Sequence, residues 1–264
     1  METVRIGVFD SGVGGLTVLH TCMRVFPHAT YYYFGDNTFA PYGSRPPQEI
    51  LSRVRGALAR FDACGVRAAV LACNTATAVC AEAVRREFAF PIVGMEPAVR
   101  PAAREGGNVL VLCTPRTAES ERMKRLAAGA DCNITIYPAE GLAGAIENYL
   151  VHRTKFALAD YLPQGEFTGV VLGCTHYVFF RREISAFYQA PVYDGNEGTA
   201  KRLKSLLEAG TVESKWSEST NMNKSSPIRW RSNGGTEVVF LGFCAKINRK
   251  ICKRMFRIAN FAQK

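Results

Sequence analysis

A chain of 264 residues with 47% hydrophobic content is too long for one small domain and suits two α/β cores. No apolar run approaches the ~20 residues of a bilayer span, and Val4-Arg5-Ile6-Gly7-Val8-Phe9 reads as a first strand, not as a secretory leader, so neither membrane nor export is expected. Nine scattered cysteines, an odd number, point to reduced thiols in a cytoplasm instead of a disulfide framework.

In chain order, strand-like and helix-like runs alternate. Strand 4–9 leads into Asp10-Ser11-Gly12-Val13-Gly14-Gly15 and a helix over 15–25. Strand 30–34 leads into Gly35-Asp36-Asn37 and then Ala40-Pro41-Tyr42-Gly43-Ser44, followed by a helix over 47–63. Strand 68–72 ends in Cys73-Asn74-Thr75 before a helix over 76–88 and a strand over 91–94. The prolines of Glu96-Pro97-Ala98-Val99-Arg100-Pro101 punctuate the pattern. Strand 108–113 then leads into Thr114-Pro115-Arg116-Thr117 and a helix over 116–127. Strand 133–137, helix 140–150, strand 169–173 ending in Cys174-Thr175-His176, strand 191–193 and helix 198–209 follow. Such alternation predicts an α/β fold of mostly parallel sheets flanked by helices. The expected division is 1–96 plus 206–264 for the first domain and 97–205 for the second. Ser214 to Gly235, rich in Ser, Asn and Lys, reads as a mobile connection.

The net charge of +10 owes much to Lys246, Arg249, Lys250, Lys253, Arg254 and Arg257. Ile247, Ile251, Met255 and Ile258 recur beside them at helical spacing, which favours the solvated face of a last helix over a nucleic-acid patch.

The chain makes one move twice: a buried strand, a cysteine, a small polar residue, then a helix start. Ligands bind at the carboxyl ends of parallel strands, and a thiol at a helix amino terminus ionises more easily. Two such thiols, Cys73 and Cys174, facing across a cleft would reach opposite faces of one carbon, each sulfur about 3–3.5 Å from it and the pair roughly 7 Å apart. The remaining cysteines (Cys22, Cys64, Cys80, Cys113, Cys132, Cys244 and Cys252) read as inert core residues. The glycine turn 10–15 offers amides to an anion, carboxylate as well as phosphate, or is a tight turn with no ligand. It lacks the Gly-Lys-Ser/Thr of a nucleotide loop and the spacing of a dinucleotide fingerprint. The amides of Tyr42, Gly43 and Ser44 either converge on a ligand or form a surface turn. Cys73, Cys174, His176 and Asp10 would also make a plausible zinc set.

Val8-Phe9-Asp10-Ser11-Gly12-Val13-Gly14-Gly15, Gly35-Asp36 with Pro41-Tyr42-Gly43, Ala72-Cys73-Asn74-Thr75-Ala76, Glu96-Pro97-Ala98 and Gly173-Cys174-Thr175-His176-Tyr177 together resemble the glutamate racemases of the aspartate/glutamate racemase family. The likeness is collinear to about residue 200. It implies two similar domains, each a mostly parallel sheet flanked by helices, with the active site in the cleft between them, and interconversion of L- and D-glutamate without cofactor or metal, supplying D-glutamate for bacterial peptidoglycan, by a homodimer. By the same resemblance Cys73 takes the α-proton of D-glutamate and Cys174 that of L-glutamate. Asp10 assists the first, His176 the second, and Glu147 is a further assisting carboxylate. The implied substrate contacts are Asp10, Ser11, Tyr42, Gly43, Asn74, Thr75, Thr175 and His176, with Thr114 and Thr117. Val178 and Gly195 depart from the family pattern of proline and serine and are expected to shift the segment carrying Cys174. The alternatives are a racemase of a related acidic amino acid such as aspartate, a zinc-dependent hydrolase, and a nucleic-acid-binding protein acting through the basic tail.

Overall fold

The computed structural model describes residues 3–209, 228–232, 235–242 and 245–261, with 254–261 described by backbone alone. The chain folds as β1 (Arg5–Asp10), α1 (Gly15–Val25), β2 (Thr30–Gly35), α2 (Pro47–Ala63), β3 (Ala68–Leu71), α3 (Asn74–Glu87), β4 (Ile92–Gly94) and α4 (Val99–Ala103). It continues through β5 (Asn108–Cys113), α5 (Pro115–Ala118), α6 (Glu121–Ala128), β6 (Asn133–Pro138), α7 (Leu142–His152), β7 (Gly169–Gly173), α8 (Arg181–Tyr188), β8 (Val192–Asp194) and α9 (Asn196–Glu208). β9 (Ile228–Arg231), β10 (Glu237–Leu241) and α10 (Ala245–Phe261) complete it.

Two sheets result, as the alternation predicts. The first has the order β4-β3-β1-β2-β10-β9 and the second β6-β5-β7-β8. All neighbours run parallel except β9, which is antiparallel to β10. Strands buried on both faces read as continuous apolar runs, and Ala68–Leu71 and Gly169–Gly173 are buried throughout. Ile6, Val8, Tyr31, Tyr33 and Val70 face α1 and α9, while Phe9, Ala69 and Leu71 face α2 and α3. In the second sheet Leu110, Leu112 and Leu172 pack on Ile146 of α7, and Val109, Val111 and Val171 pack on Val99 and Met123. Strand register decides which polar residues share an edge. Asp10 pairs with Gly35 and Phe9 with Leu71, while Cys113 pairs with Gly173. Parallel register therefore delivers Asp10, the 35–44 loop and Cys73 to one sheet edge, and Thr114 and Cys174 to the matching edge of the other.

Several elements depart from expectation. The helix expected over 116–127 breaks into α5 and α6. Thr114 Oγ1 accepts from Thr117 N (3.4 Å) and Ser120 Oγ from Met123 N (3.1 Å), so each hydroxyl starts its own helix. The Ser214 to Gly235 connection contains β9 at its end; 210–227 and 233–234 lie outside the described residues. α9 lies on α1, with Ala200 and Leu203 in the core of the first sheet. Cys22, Cys64, Cys80, Cys113 and Cys252 are buried and Cys132 is half-buried, all unbridged, and Cys244 lies outside the described residues. On α10, Lys246, Lys250 and Lys253 are exposed while Asn248, Ile251 and Cys252 are buried, which is a solvated amphipathic face. The side chains of Arg254, Met255, Arg257 and Ile258 lie outside the described residues. Among the described residues no helix is long and apolar enough to cross a membrane.

Candidate active site

The two cysteine turns sit at facing sheet edges, and the residues between them are buried. Cys73 ends β3 and caps α3, its sulfur accepting from Ala76 N at 3.5 Å and standing 3.6 Å from Ser11 Oγ. The expected easy ionisation of this thiol is not found. Burial and the neighbouring Asp10 carboxylate outweigh the Ala76 amide and the Ser11 hydroxyl, and Cys73 is pushed up to about 12. Cys174 ends β7 but does not open an α-helix. It precedes a short 3-10 turn, Tyr177–Phe180, and α8 starts only at Arg181.

The glycine turn after β1 fits against the second sheet at van der Waals limits. A Cβ on Gly12 would stand 2.6 Å from Glu147 Oε2, and one on Gly14 would stand 2.3 Å from Thr175 Oγ1 and 2.7 Å from His176 Nδ1. Only glycine lets the backbone come this close. Tyr33, a residue the sequence reading overlooked, donates from its hydroxyl to Gly12 O (2.7 Å) and fixes the turn from below.

Two carboxylates result, and each takes donors from the opposite sheet. Asp10 accepts from Gly12 N (2.9 Å) and from Thr175 Oγ1 (3.1 Å). Burial raises Asp10 to about 6 against the lowering effects of His176, Gly12 N and Thr175. Glu147 accepts from Val13 N (3.0 Å), from Asn37 Nδ2 (2.5 Å) and from His176 Nε2 (2.6 Å). Burial pushes Glu147 up, but the hydrogen bond and charge of His176, with Val13 N and Asn37, outweigh it and hold the carboxyl below its usual value. His176 Nδ1 lies 3.8 Å from Cys174 Sγ. Burial disfavours the imidazolium, yet the bonds to Cys174 and Glu147 and their charges raise His176 well above its ordinary value.

Thr75, Thr114 and Thr117 form a buried hydroxyl cluster across the sheets, with Oγ1 separations of 2.9 Å (75–114), 3.3 Å (75–117) and 2.9 Å (114–117). Gly43 lies against Thr114, where a Cβ would stand 2.9 Å from the threonine Cβ. Tyr42 is buried, but its hydroxyl donates to Asp36 Oδ2 (2.7 Å), an oxygen that Arg53 also reaches at 3.3 Å. What Tyr42 presents to the cleft is therefore backbone. Asn74 Oδ1 is buried with no hydrogen-bond partner, so the site holds a free acceptor. A cavity of about 330 Å³ lies just outside, lined by Pro41, Gly43, Ser44, Thr114, Pro115 and Arg116. A larger one of about 1240 Å³ lies where the chain crosses between sheets and touches none of the predicted site residues. Gly195 is there, and a Cβ on it would meet Glu96 O at 2.1 Å, so the departure from serine lets the two crossings touch. Val178 packs against the core of the second sheet.

Sequence reasoning named Asp10, Ser11, Cys73, Glu147, Cys174, Thr175 and His176, and these meet in one place. It overlooked Tyr33 and Asn248, whose Nδ2 lies 3.5 Å from Gly35 O, and, although it singled out the Asn37 loop and the amides of turn 10–15, not that Asn37 and the Val13 amide serve Glu147. Among the described residues no group of three or more His, Cys, Asp or Glu side chains is placed to hold a metal ion, so the zinc set considered from sequence is not assembled.

The profile of the family described as Asp/Glu/Hydantoin racemase matches residues 17–203. A glutamate racemase of Halothermothrix orenii is 34% identical over 95% of this chain and 97% of its own. One from Clostridium perfringens is 36% identical over 84% and 90%. Among solved structures, Escherichia coli glutamate racemase in complex with L-glutamate and the activator UDP-MurNAc-ala superposes with a TM-score of 0.70 at 31% identity, covering 78% of this chain and 83% of that one.

Proposed function

We propose that this chain, which belongs to the Asp/Glu/Hydantoin racemase family, interconverts L- and D-glutamate, one of Cys73 and Cys174 removing the α-proton while the other delivers its own proton to the opposite face of Cα. The observation that carries the reading is the exchange of donors between the two halves: Thr175 of the second on Asp10 of the first, and Val13 and Asn37 of the first on Glu147 of the second. It brings the glycine turn beside Cys73 against the buried Glu147–His176 pair beside Cys174.

The chemistry needs a base on one face of Cα and an acid on the other. Asp10, ionised above about pH 6, stands beside the Cys73 thiol and takes its proton when that sulfur is to act as base. His176, held between Cys174 and Glu147, does the same for the second sulfur. In the L-to-D direction Cys174 removes the α-proton and Cys73 returns one from the opposite face. The carboxylate end of the substrate, where charge builds, meets the hydroxyl cluster of Thr75, Thr114 and Thr117. Asn74 Oδ1 is a ready acceptor for the α-ammonium. D-glutamate made in this way would supply peptidoglycan synthesis in a bacterial cytoplasm, and the family likeness carries a homodimer with it.

The test is chiral chromatography of L-glutamate incubated with purified protein in deuterated water and no added cofactor. D-glutamate carrying deuterium at Cα is expected. Cys73→Ser and Cys174→Ser should each lower turnover by about 100-fold or more, on the order of what removal of a general acid or base costs. Unlabelled product, or either variant turning over near the wild-type rate, defeats the two-thiol reading.

A further inference from the structure

Asn37 belongs to the loop after β2, which stands out in the sequence and has no part in the proton transfers at the two sulfurs. The loop runs along one face of α7. Pro41 lies 3.7 Å from where a Cβ on Gly144 would stand, and one helical turn further on Asn37 Nδ2 donates to Glu147 Oε1 at 2.5 Å. The other oxygen of Glu147 is taken by His176 Nε2 and Val13 N. Asn37 Oδ1 is buried without a hydrogen-bond partner. An orphaned buried amide oxygen is costly, so what this side chain contributes is the bond its Nδ2 makes to Glu147.

We propose that Asn37 is a positioning residue that orients the Glu147 carboxylate on His176, so that proton handling at Cys174 is completed only when the loops of the first sheet lie against α7. Asn37 acts through Glu147 and His176 and has no contact with either sulfur. Asp10 mirrors the arrangement, since its carboxylate takes Thr175 Oγ1 from the second sheet. Each half thus finishes the acid–base set of the other. The charged and titratable groups that face Glu147 are His176 from its own half and Asp10 and Tyr33 from the other. Removing the Asn37 donor leaves Glu147 easier to protonate, because one of the bonds favouring its ionised form is gone.

This assignment rests on the proposed racemase reading, so wild-type turnover of glutamate is measured first. In Asn37→Ala, kcat is expected to fall about tenfold, as for loss of a hydrogen bond to a charged group, with KM within about twofold. The acid limb of kcat should move up by roughly half to one pH unit. Asn37→Asp, equal in size but without the donor and with a repelling charge, should lose more, and Asn37→Gln, which keeps the amide, should recover most of the rate. Unchanged kcat in Asn37→Ala, or a loss seen in KM with the acid limb unmoved, overturns the proposal. Should Asn37→Ala fail to fold, equal rates for Asn37→Asp and Asn37→Gln overturn it instead. If the wild type does not racemise glutamate, the functional reading fails, and Asn37 is judged by nitrogen NMR of the His176 ring. An acid-side titration shifted upward in Asn37→Gln relative to wild type by less than in Asn37→Asp supports the positioning role; identical titrations in all three end it.

Discussion

At the scale of single residues, one carboxylate of the site, Asp10, carries its charge where it costs the fold. Asp10 is fully buried and raised from its ordinary 3.8 to about 6 by that burial. Between those values the folded chain holds a proton that the unfolded chain gives up, so stability falls as pH rises through the window and stays reduced above it. Asp10→Asn should therefore abolish most racemisation and yet raise Tm by a few degrees at about pH 8, with the gain vanishing near about pH 4. Thermal melts at the two pH values check it, and an equal or lower Tm on the alkaline side would contradict the account. Sequence legibility at this scale was uneven, for a physical reason. Cys73, Cys174 and Asp10 end strands, and a strand end is visible in the local pattern. Asn37 and Tyr33 matter only through partners in the fold, Glu147 being 110 positions away from Asn37, and no local pattern encodes such a bond.

At the scale of elements, what decides the geometry near the cleft is where helices start. Thr114 and Ser120 each cap a short helix, which turns α5 so that Thr114 and Thr117 reach Thr75 across the cleft. Ser120→Ala removes the cap from α6 and should cost about 1 kcal/mol of stability. Turnover should be nearly unaffected, because the Ser120 hydroxyl meets the site only at the Thr117 carbonyl (2.7 Å) and not at a reacting group. Denaturant unfolding and a rate assay on the same sample separate the two effects. The parallel strands and long helices were plain in sequence, since buried runs such as Val109–Cys113 and the recurring apolar positions of α2 (Ile50, Val54, Ala57, Leu58, Phe61) announce themselves. The cap-driven break between α5 and α6 was not, because the apolar spacing carries on through it. β9 and β10 escaped because they follow a polar stretch that reads as a connection.

At the scale of the molecule, two sheets are joined by crossings that touch at Gly195 and the Met95–Glu96 segment. Gly195→Ala would put a Cβ 2.1 Å from Glu96 O and 2.4 Å from Met95 Sδ. Glu96 O is backbone and cannot swing aside as a side chain would, so the crossings must part. A loss of about 1–3 kcal/mol is expected, as for other overpacked sites, together with a lower kcat because the two cysteine turns are reoriented. Calorimetry and turnover of that variant test both, and an unchanged Tm would show the crossings to be loosely packed. The first sheet has one further property, set by its last strand. Without β9 it would end on β10, whose Val238, Val239, Phe240 and Leu241 are buried. Such a bare apolar margin is a template on which another chain can add a strand. β9 closes it in the opposite direction, with Arg229 paired to Glu237 at 2.9 Å and Arg231 turned to solvent, so the strand that replaces β10 at the margin is short and carries charge in place of an apolar row, the features that discourage a further strand from adding there.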